Sequence, residues 1–145
     1  MILLDTHIWI WWVDGSRELP NTYRDAIDQS SDGVGVSVIS CWEIAKKIEK
    51  ESRRDPTSKT LVLSLPVRDW IKAALRQPGV ALVPLTPYII LDSTNLPDGY
   101  NLTNADPADQ LIIATARVES IPLMTVDAKI TPYEDHVDLW KPTGP

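Results

Sequence analysis

Short apolar runs alternate along this chain with longer segments in which apolar side chains recur every three or four positions. The short runs are typical of strands buried on both faces of a parallel sheet. The longer segments are typical of amphipathic helices packed against such a sheet. Four of the runs are well defined, and a fifth is shorter: 1–4, 34–39, 80–85, 121–126 and 137–140.

Helices are predicted in most of the intervening chain, at 6–13, 20–29, 40–52, 66–76, 86–95 and 107–119. Ser40 and Glu43 have the spacing of a capping box at the start of one helix. Asp106 and Pro107 form another start signal, because aspartate is a good N-cap and proline suits the first helical position. Residues 96–103, rich in proline, glycine and asparagine, are interpreted as a loop.

Strands and helices that alternate over the whole length predict one α/β domain spanning residues 1–145, with a mostly parallel sheet of four to five strands. The chain has no long uncharged apolar run, so we expect neither a membrane span nor a signal peptide. The single cysteine, Cys41, excludes an internal disulfide and fits the reducing cytoplasm. We interpret Cys41 as a small core residue rather than a nucleophile.

Charge is unevenly distributed along the chain. The net charge of −6 argues against a general nucleic-acid binder. Residues 46–76, however, carry nine basic and four acidic side chains. Lys46 and Lys47 in this segment are candidates for RNA contact, and the alternative is a solvated helix face. Trp9, Trp11 and Trp12 are expected in the core or in a dimer interface, with RNA stacking as the alternative.

Acidic side chains follow or flank several of the predicted strands. Asp5 ends the first strand and Asp127 ends the fourth, while Glu43 and Asp109 lie in the first turns of predicted helices. In an open parallel sheet these positions share the edge formed by the carboxyl ends of the strands. Each acid also has a purely structural interpretation, as a turn residue, a cap or a partner of the helix dipole.

Four carboxylates at one edge repel one another unless a cation lies between them. Two histidines are too few for a histidine-rich metal site, so the ligands would be oxygens, which favours Mg²⁺ or Mn²⁺. No serine–histidine–aspartate order and no glycine-rich phosphate loop is apparent. The pattern therefore suits metal-assisted hydrolysis of phosphodiester bonds.

Four segments of the chain resemble the four acidic motifs of PIN-domain proteins, and in particular of the VapC-type toxin ribonucleases of bacterial and archaeal toxin–antitoxin pairs. They cover nearly the whole chain in order: LLDTHIWIWW, SVISCWEIAKK, DPADQLIIATA and PLMTVD. The resemblance implies a compact α/β/α fold and Mg²⁺- or Mn²⁺-dependent endoribonuclease activity on single-stranded RNA.

The resemblance also implies roles for individual residues. Asp5, Glu43, Asp109 and Asp127 match the four acids of the family. Asp5 and Asp109 would be direct metal ligands, and the other two would complete the site directly or through water.

Three neighbouring positions add detail to that match. Thr6 corresponds to the small polar residue that supports the first acid, and Asp106 is interpreted as an N-cap first and an outer ligand second. Gln110 departs from the family pattern, in which an arginine commonly follows the third acid. The resemblance further implies a homodimer and a cognate antitoxin that reaches into the acidic pocket.

Two other functions compete with a ribonuclease. One is a non-catalytic PIN-like module that binds RNA or protein. The other is a phosphatase or phosphotransferase with Asp5 as a covalent nucleophile. Such folds usually place a second acid two residues later, where this chain has His7.

Overall fold

A four-stranded parallel sheet forms the centre of the molecule. The computed structural model describes residues 1–53 and 61–144. The strands lie in the order β3-β2-β1-β4, and every neighbouring pair is parallel. Their bounds are β1 Ile2–Leu4, β2 Val34–Ser37, β3 Val80–Val83 and β4 Leu123–Met124. The predicted α/β class and parallel sheet are confirmed.

Helices cover both faces of this sheet, and the described residues form seven α-helices. They are α1 Thr6–Val13, α2 Asn21–Asp28, α3 Val38–Ser52, α4 Val67–Leu75, α5 Pro87–Ser93, α6 Tyr100–Thr103 and α7 Pro107–Glu119. No helix among the described residues is long and apolar enough to cross a bilayer.

Two hydrophobic clusters lie on opposite faces of the sheet, because successive strand side chains point in opposite directions. Leu3 and Leu123 join a cluster with the buried sides of α5 and α7. Leu4 and Met124 join a second cluster with residues of α1, α2, α3 and α4. Trp9 is fully buried there and meets Trp70 edge-on, with ring centroids 5.0 Å apart. The layers are therefore α/β/α.

The predicted start of α3 is wrong. The helix begins at Val38, and the hydroxyl of Ser37 caps it by accepting a hydrogen bond from the amide of Ile39 at 3.3 Å. Ser37 is itself a good capping residue, so β2 is shorter than the apolar pattern suggested. Ser40 therefore lies inside the helix and is buried, and no capping box forms with Glu43.

Three further expectations differ from the structure. Residues 96–103 are not an open loop, since they form a 3₁₀ turn at Pro97–Gly99 followed by α6. The proposed fifth strand is reduced to a single bridge between Leu139 and Leu123. β4 itself has only two residues, because the chain turns at Asp127 to form the site described below.

Candidate metal centre

Asp5 joins β1 to α1 at the carboxyl edge of the sheet. Its amide donates to the carbonyl of Met124 at 3.0 Å, so the backbone is held by the neighbouring strand. Both carboxylate oxygens accept hydrogen bonds: Oδ1 from the amide of Thr6 at 2.7 Å and Oδ2 from the hydroxyl of Thr125 at 2.6 Å. Burial raises the pKa of Asp5, and these donors oppose that shift.

Asp109 lies in the first turn of α7, where the sequence predicted it. Asp106 caps that helix, accepting from the amides of Ala108 at 2.9 Å and Asp109 at 3.5 Å. The predicted cap is confirmed. Burial raises the pKa of Asp109 to about 6; Lys129 opposes this shift, and the negative charges of Asp106 and Asp5 add to it.

Glu43 approaches the same edge from α3, on its second turn rather than its first. Burial raises the pKa of Glu43 to about 7. The hydroxyl of Thr6 lowers that pKa, while the charges of three aspartates raise it further. Thr6 also donates to the buried hydroxyl of Ser40 at 2.9 Å. Thr6 thus links α1 to α3 beside the acids.

Asp127 forms the turn that follows β4. Its Oδ1 accepts from the amide of Lys129 at 2.8 Å, and its own amide donates to the hydroxyl of Thr125 at 3.0 Å. Thr125 therefore contacts two of the predicted acids, Asp5 and Asp127, with one hydroxyl group.

Lys129 places a cation among these carboxylates. Its Nζ lies 2.9 Å from Oδ2 of Asp109 and 3.9 Å from Oδ2 of both Asp106 and Asp127. The contact with Asp109 raises the pKa of Lys129, so the ammonium stays charged. The acid cluster is thus partly neutralised by a side chain of the same chain.

Three carboxylates form the closest group in the described part of the chain. Oxygen atoms of Glu43, Asp106 and Asp109 all lie within 4.8 Å of one another. Asp5 and Asp127 are not in that group, although the charge of Asp5 raises the pKa of Glu43 and Asp109, and the charge of Asp127 raises that of Asp5. The structure therefore brings Asp106 closer to the centre than its interpretation as an outer ligand suggested.

The donor set fits a hard divalent cation. The oxygens all come from carboxylates, the ligands that Mg²⁺ and Mn²⁺ prefer. Oδ2 of Asp109 is buried, and the ammonium of Lys129 lies 2.9 Å from it. A buried carboxylate oxygen without a directed donor is costly unless a cation lies close to it.

Lys46 and Lys47 lie on α3 beside this centre. Both line a cleft of about 450 Å³ that Glu43 and Asp106 also line. The predicted basic segment continues along α3 to Lys50, but Arg54 and Lys59 fall outside the described residues.

Sequence reasoning missed Thr125 and Lys129. Both lie within two residues of Asp127, in the segment TVDAK. Their position beside a predicted ligand was the available signal for both residues. The contact between Thr125 and Asp5, 120 positions apart, could be predicted only from the pairing of β1 with β4.

Gln110, where the resemblance implied an arginine, lies one residue after Asp109 on α7. Its Nε2 donates to the carbonyl of Asn104 at 2.6 Å and holds the segment that leads into α7. The side chain therefore supports the helix start from the outside.

Comparisons with known proteins agree with this fold. A family model described as PIN domain matches residues 2–134. Ribonuclease VapC22 of Mycobacterium tuberculosis (strain ATCC 25618 / H37Rv) is 30% identical over 129 residues, which cover 89% of this chain and 88% of that protein.

Solved structures share the fold at lower identity. The structure of FitAcB from Neisseria gonorrhoeae superposes with a TM-score of 0.62 at 21% identity, covering 98% of both chains. VapBC2 from Rickettsia felis, bound to a DNA fragment from its promoter, gives 0.60 at 15% identity and 96% coverage of both. Because the PIN-domain model matches most of the length of this chain, the chain belongs to the PIN-domain family.

Proposed function

We propose that this protein is a metal-dependent endoribonuclease and the toxin of a toxin–antitoxin pair. The observation that carries the proposal is the close approach of Glu43, Asp106 and Asp109, whose carboxylate oxygens lie within 4.8 Å of one another. Membership of the PIN-domain family and 30% identity to a protein named as a ribonuclease support the same activity.

Glu43, Asp106 and Asp109 would hold the metal, with Asp5 and Asp127 completing the acidic site. Mg²⁺ or Mn²⁺ is the ion proposed, because every ligand atom is a carboxylate oxygen. When bound, such an ion polarises phosphoryl oxygens and lowers the pKa of bound water.

The protein's own residues prepare this site in three ways. Thr125 and Thr6 fix both oxygens of Asp5, so its carboxylate has one orientation. Glu43, whose pKa burial raises to about 7 in the metal-free chain, would release its proton when a cation binds, which couples metal binding to pH. The third contribution is the cleft lined by Lys46 and Lys47, which supports binding of the RNA backbone.

The geometry weighs against a phosphotransferase with Asp5 as nucleophile. Asp5 is 5% exposed, and both of its carboxylate oxygens accept hydrogen bonds of 2.7 Å or shorter. A nucleophilic oxygen needs access to the substrate, and the burial of Asp5 restricts that access. A non-catalytic module that binds RNA or protein remains the competing function. It differs from the proposed ribonuclease in that it would not cleave RNA.

We also propose an antitoxin partner, a homodimer and a cytoplasmic location. Solved structures with this fold include a toxin–antitoxin complex from Klebsiella pneumoniae, at 20% identity and a TM-score of 0.60. On α5, Tyr88 is 75% and Leu91 68% exposed, and such apolar side chains suit an interface between copies. Light scattering tests the dimer by comparing the mass in solution of the native protein with that of Tyr88→Ser. We expect a dimer for the native protein and a larger share of monomer for Tyr88→Ser.

A cleavage assay tests the ribonuclease directly. Mixed-sequence single-stranded RNA is incubated with the protein in Mn²⁺, in Mg²⁺ and in chelator, with Asp5→Asn as the matched control. We expect cleavage with either metal only in the native protein, with at least a hundredfold loss in Asp5→Asn. Equal cleavage by both proteins, or cleavage by neither, would refute the catalytic function.

A further inference from the structure

The cleft of about 450 Å³ beside the acids has two different walls. On one side α3 contributes Trp42, Lys46, Lys47 and Lys50, and on the other the start of α7 contributes residues 106–108. Glu43 lies on the same wall as Trp42 and joins the cleft to the acidic group. Its volume is in the range of ordinary ligand-binding clefts.

Trp42 is unusual among the tryptophans of this protein because it is 44% exposed. Trp9 and Trp70 are buried in the core, and Trp11 and Trp12 pack against the same cluster. Trp42 and Glu43 line the same cleft, so an exposed indole ring shares that cleft with a proposed metal ligand. A large aromatic ring left open at a charged cleft is expected where a flat ligand stacks.

Lysines accompany this ring. Nζ of Lys46 lies 4.4 Å from the centroid of the Trp42 ring, in a cation–π contact. Lys50 follows Lys46 by four residues on α3, and Lys47 lines the same cleft. An aromatic platform followed by positive charges matches a single-stranded nucleic acid, whose bases stack and whose phosphates attract cations.

We propose that Trp42 forms a subsite for one unpaired nucleobase of single-stranded RNA, and that Lys46, Lys47 and Lys50 contact the adjoining phosphates. The inference rests on the proposed ribonuclease function, since the subsite would position a nucleotide next to the acidic group. Lys46 covers one face of the ring in the free protein. The base would replace Lys46 on the ring, and the ammonium of Lys46 would then contact phosphate.

The subsite predicts two separable effects on RNA binding. Stacking on Trp42 contributes affinity that does not depend on salt, because no counterion is released. The lysines contribute affinity that falls with salt, in proportion to the phosphates they neutralise. Trp42→Ala should therefore weaken binding at every salt concentration, while Lys46→Gln should reduce the salt dependence.

Binding of a fluorescent ten-nucleotide single-stranded RNA, measured by anisotropy in Mg²⁺, tests this subsite. All proteins carry Asp5→Asn to prevent cleavage. We expect Trp42→Ala to bind roughly tenfold more weakly, the usual effect of losing one base–aromatic stack, and Trp42→Phe to stay within about threefold. Leu102→Ala, which removes an exposed apolar side chain outside the cleft, should bind like the parent.

Single abasic positions in the RNA identify the stacked base. At one position the abasic RNA should bind the parent about tenfold more weakly and should show no further loss with Trp42→Ala. Unchanged binding by Trp42→Ala would overturn the subsite, as would an equal loss at every abasic position. A different oligomeric state of Trp42→Ala in solution would show that Trp42 belongs to an interface between copies, and it would overturn the subsite. Loss of antitoxin binding with RNA binding intact would show an interface with the antitoxin and would overturn the subsite as well.

Two controls keep the result interpretable. The melting temperature and circular dichroism of Trp42→Ala establish that it is folded, and Trp42→Leu is the substitute if it is not. Cleavage by the native chain is measured separately. Cleavage together with unaltered Trp42→Ala binding refutes only the subsite, while stacking without cleavage refutes only the ribonuclease activity.

Discussion

The ammonium of Lys129 lies 2.9 Å from Oδ2 of Asp109, a carboxylate whose side chain is only 7% exposed. This contact places a cation of the protein next to the oxygen that a divalent metal would use. Lys129 itself is half exposed, so it is free to leave when another cation arrives. A metal bound at these carboxylates would therefore compete with the lysine for the same negative charges.

Lys129→Gln should bind Mn²⁺ more tightly than the native chain. Removal of one positive charge beside the cluster should improve affinity by roughly three- to tenfold, in keeping with a partly exposed ion pair. The melting temperature of the metal-free protein should fall, because Asp109 loses its counter-charge. Isothermal titration calorimetry measures the first effect. Lys141→Gln is the control, since Lys141 pairs with Glu134 instead; equal Mn²⁺ affinity in all three proteins would contradict the competition.

Asp106 has two roles that substitution can separate. Asp106→Asn keeps an oxygen that can accept from the amides of Ala108 and Asp109, so its free energy of unfolding should stay within about 0.5 kcal/mol of the native value. Asp106→Ala loses the cap and should be less stable by about 1 kcal/mol. Both variants should bind Mn²⁺ at least several-fold more weakly. Native Mn²⁺ affinity in Asp106→Asn would show that Asp106 is a cap and not a ligand.

The metal-free protein should lose stability as the pH rises from about 4 to 7. Burial raises the pKa of Glu43 to about 7 and that of Asp109 to about 6. The folded protein then holds protons that the unfolded chain has released, which stabilises it fully below the ordinary carboxyl pKa values and less as the pH passes the folded ones.

Melting temperatures in chelator across this pH range measure that loss. Glu43→Gln should show a shallower decline above pH 5, because its side chain does not titrate. Excess Mg²⁺ should also flatten the decline in the native chain, since metal binding favours the ionised carboxylates. A native profile no steeper than that of Glu43→Gln would contradict the raised pKa of Glu43.

The hydroxyl of Thr125 should contribute to both stability and site geometry. Thr125→Val keeps the shape but leaves Oδ2 of Asp5 without its 2.6 Å donor and the amide of Asp127 without its 3.0 Å acceptor. Leaving a buried carboxylate oxygen unpaired should lower the free energy of unfolding by about 1–3 kcal/mol in urea denaturation. Thr125→Ser retains the hydroxyl and should lose less than about 1 kcal/mol. Similar losses in both variants would indicate that packing of the methyl group, rather than the hydrogen bond, is responsible.

Much of the fold could be predicted because its signals are local. Continuous apolar runs identified the parallel strands, and Asp106 with Pro107 identified the start of α7. The start of α3 was misplaced because Ser37 and Ser40 are both good capping residues, and only the length of β2 decides between them. Residues 96–103 were misjudged because their proline and glycine are compatible with short helical turns as well as with a loop.

The site was only partly predictable for a different reason. Asp5, Glu43, Asp109 and Asp127 were placed near one edge by topology, but which oxygens lie closest depends on side-chain directions. Those directions place Asp106 within the closest group and Lys129 beside it. Neither result follows from spacing along the chain.

The most direct test of the account measures Mn²⁺ occupancy and RNA cleavage in the same titration. Electron paramagnetic resonance reports free Mn²⁺, and the initial rate on single-stranded RNA reports activity. We expect the two curves to rise together in the native chain, and Asp109→Asn to lose both tight Mn²⁺ binding and cleavage. Undiminished Mn²⁺ binding by Asp109→Asn, or full cleavage in chelator, would contradict a ribonuclease site built on these carboxylates.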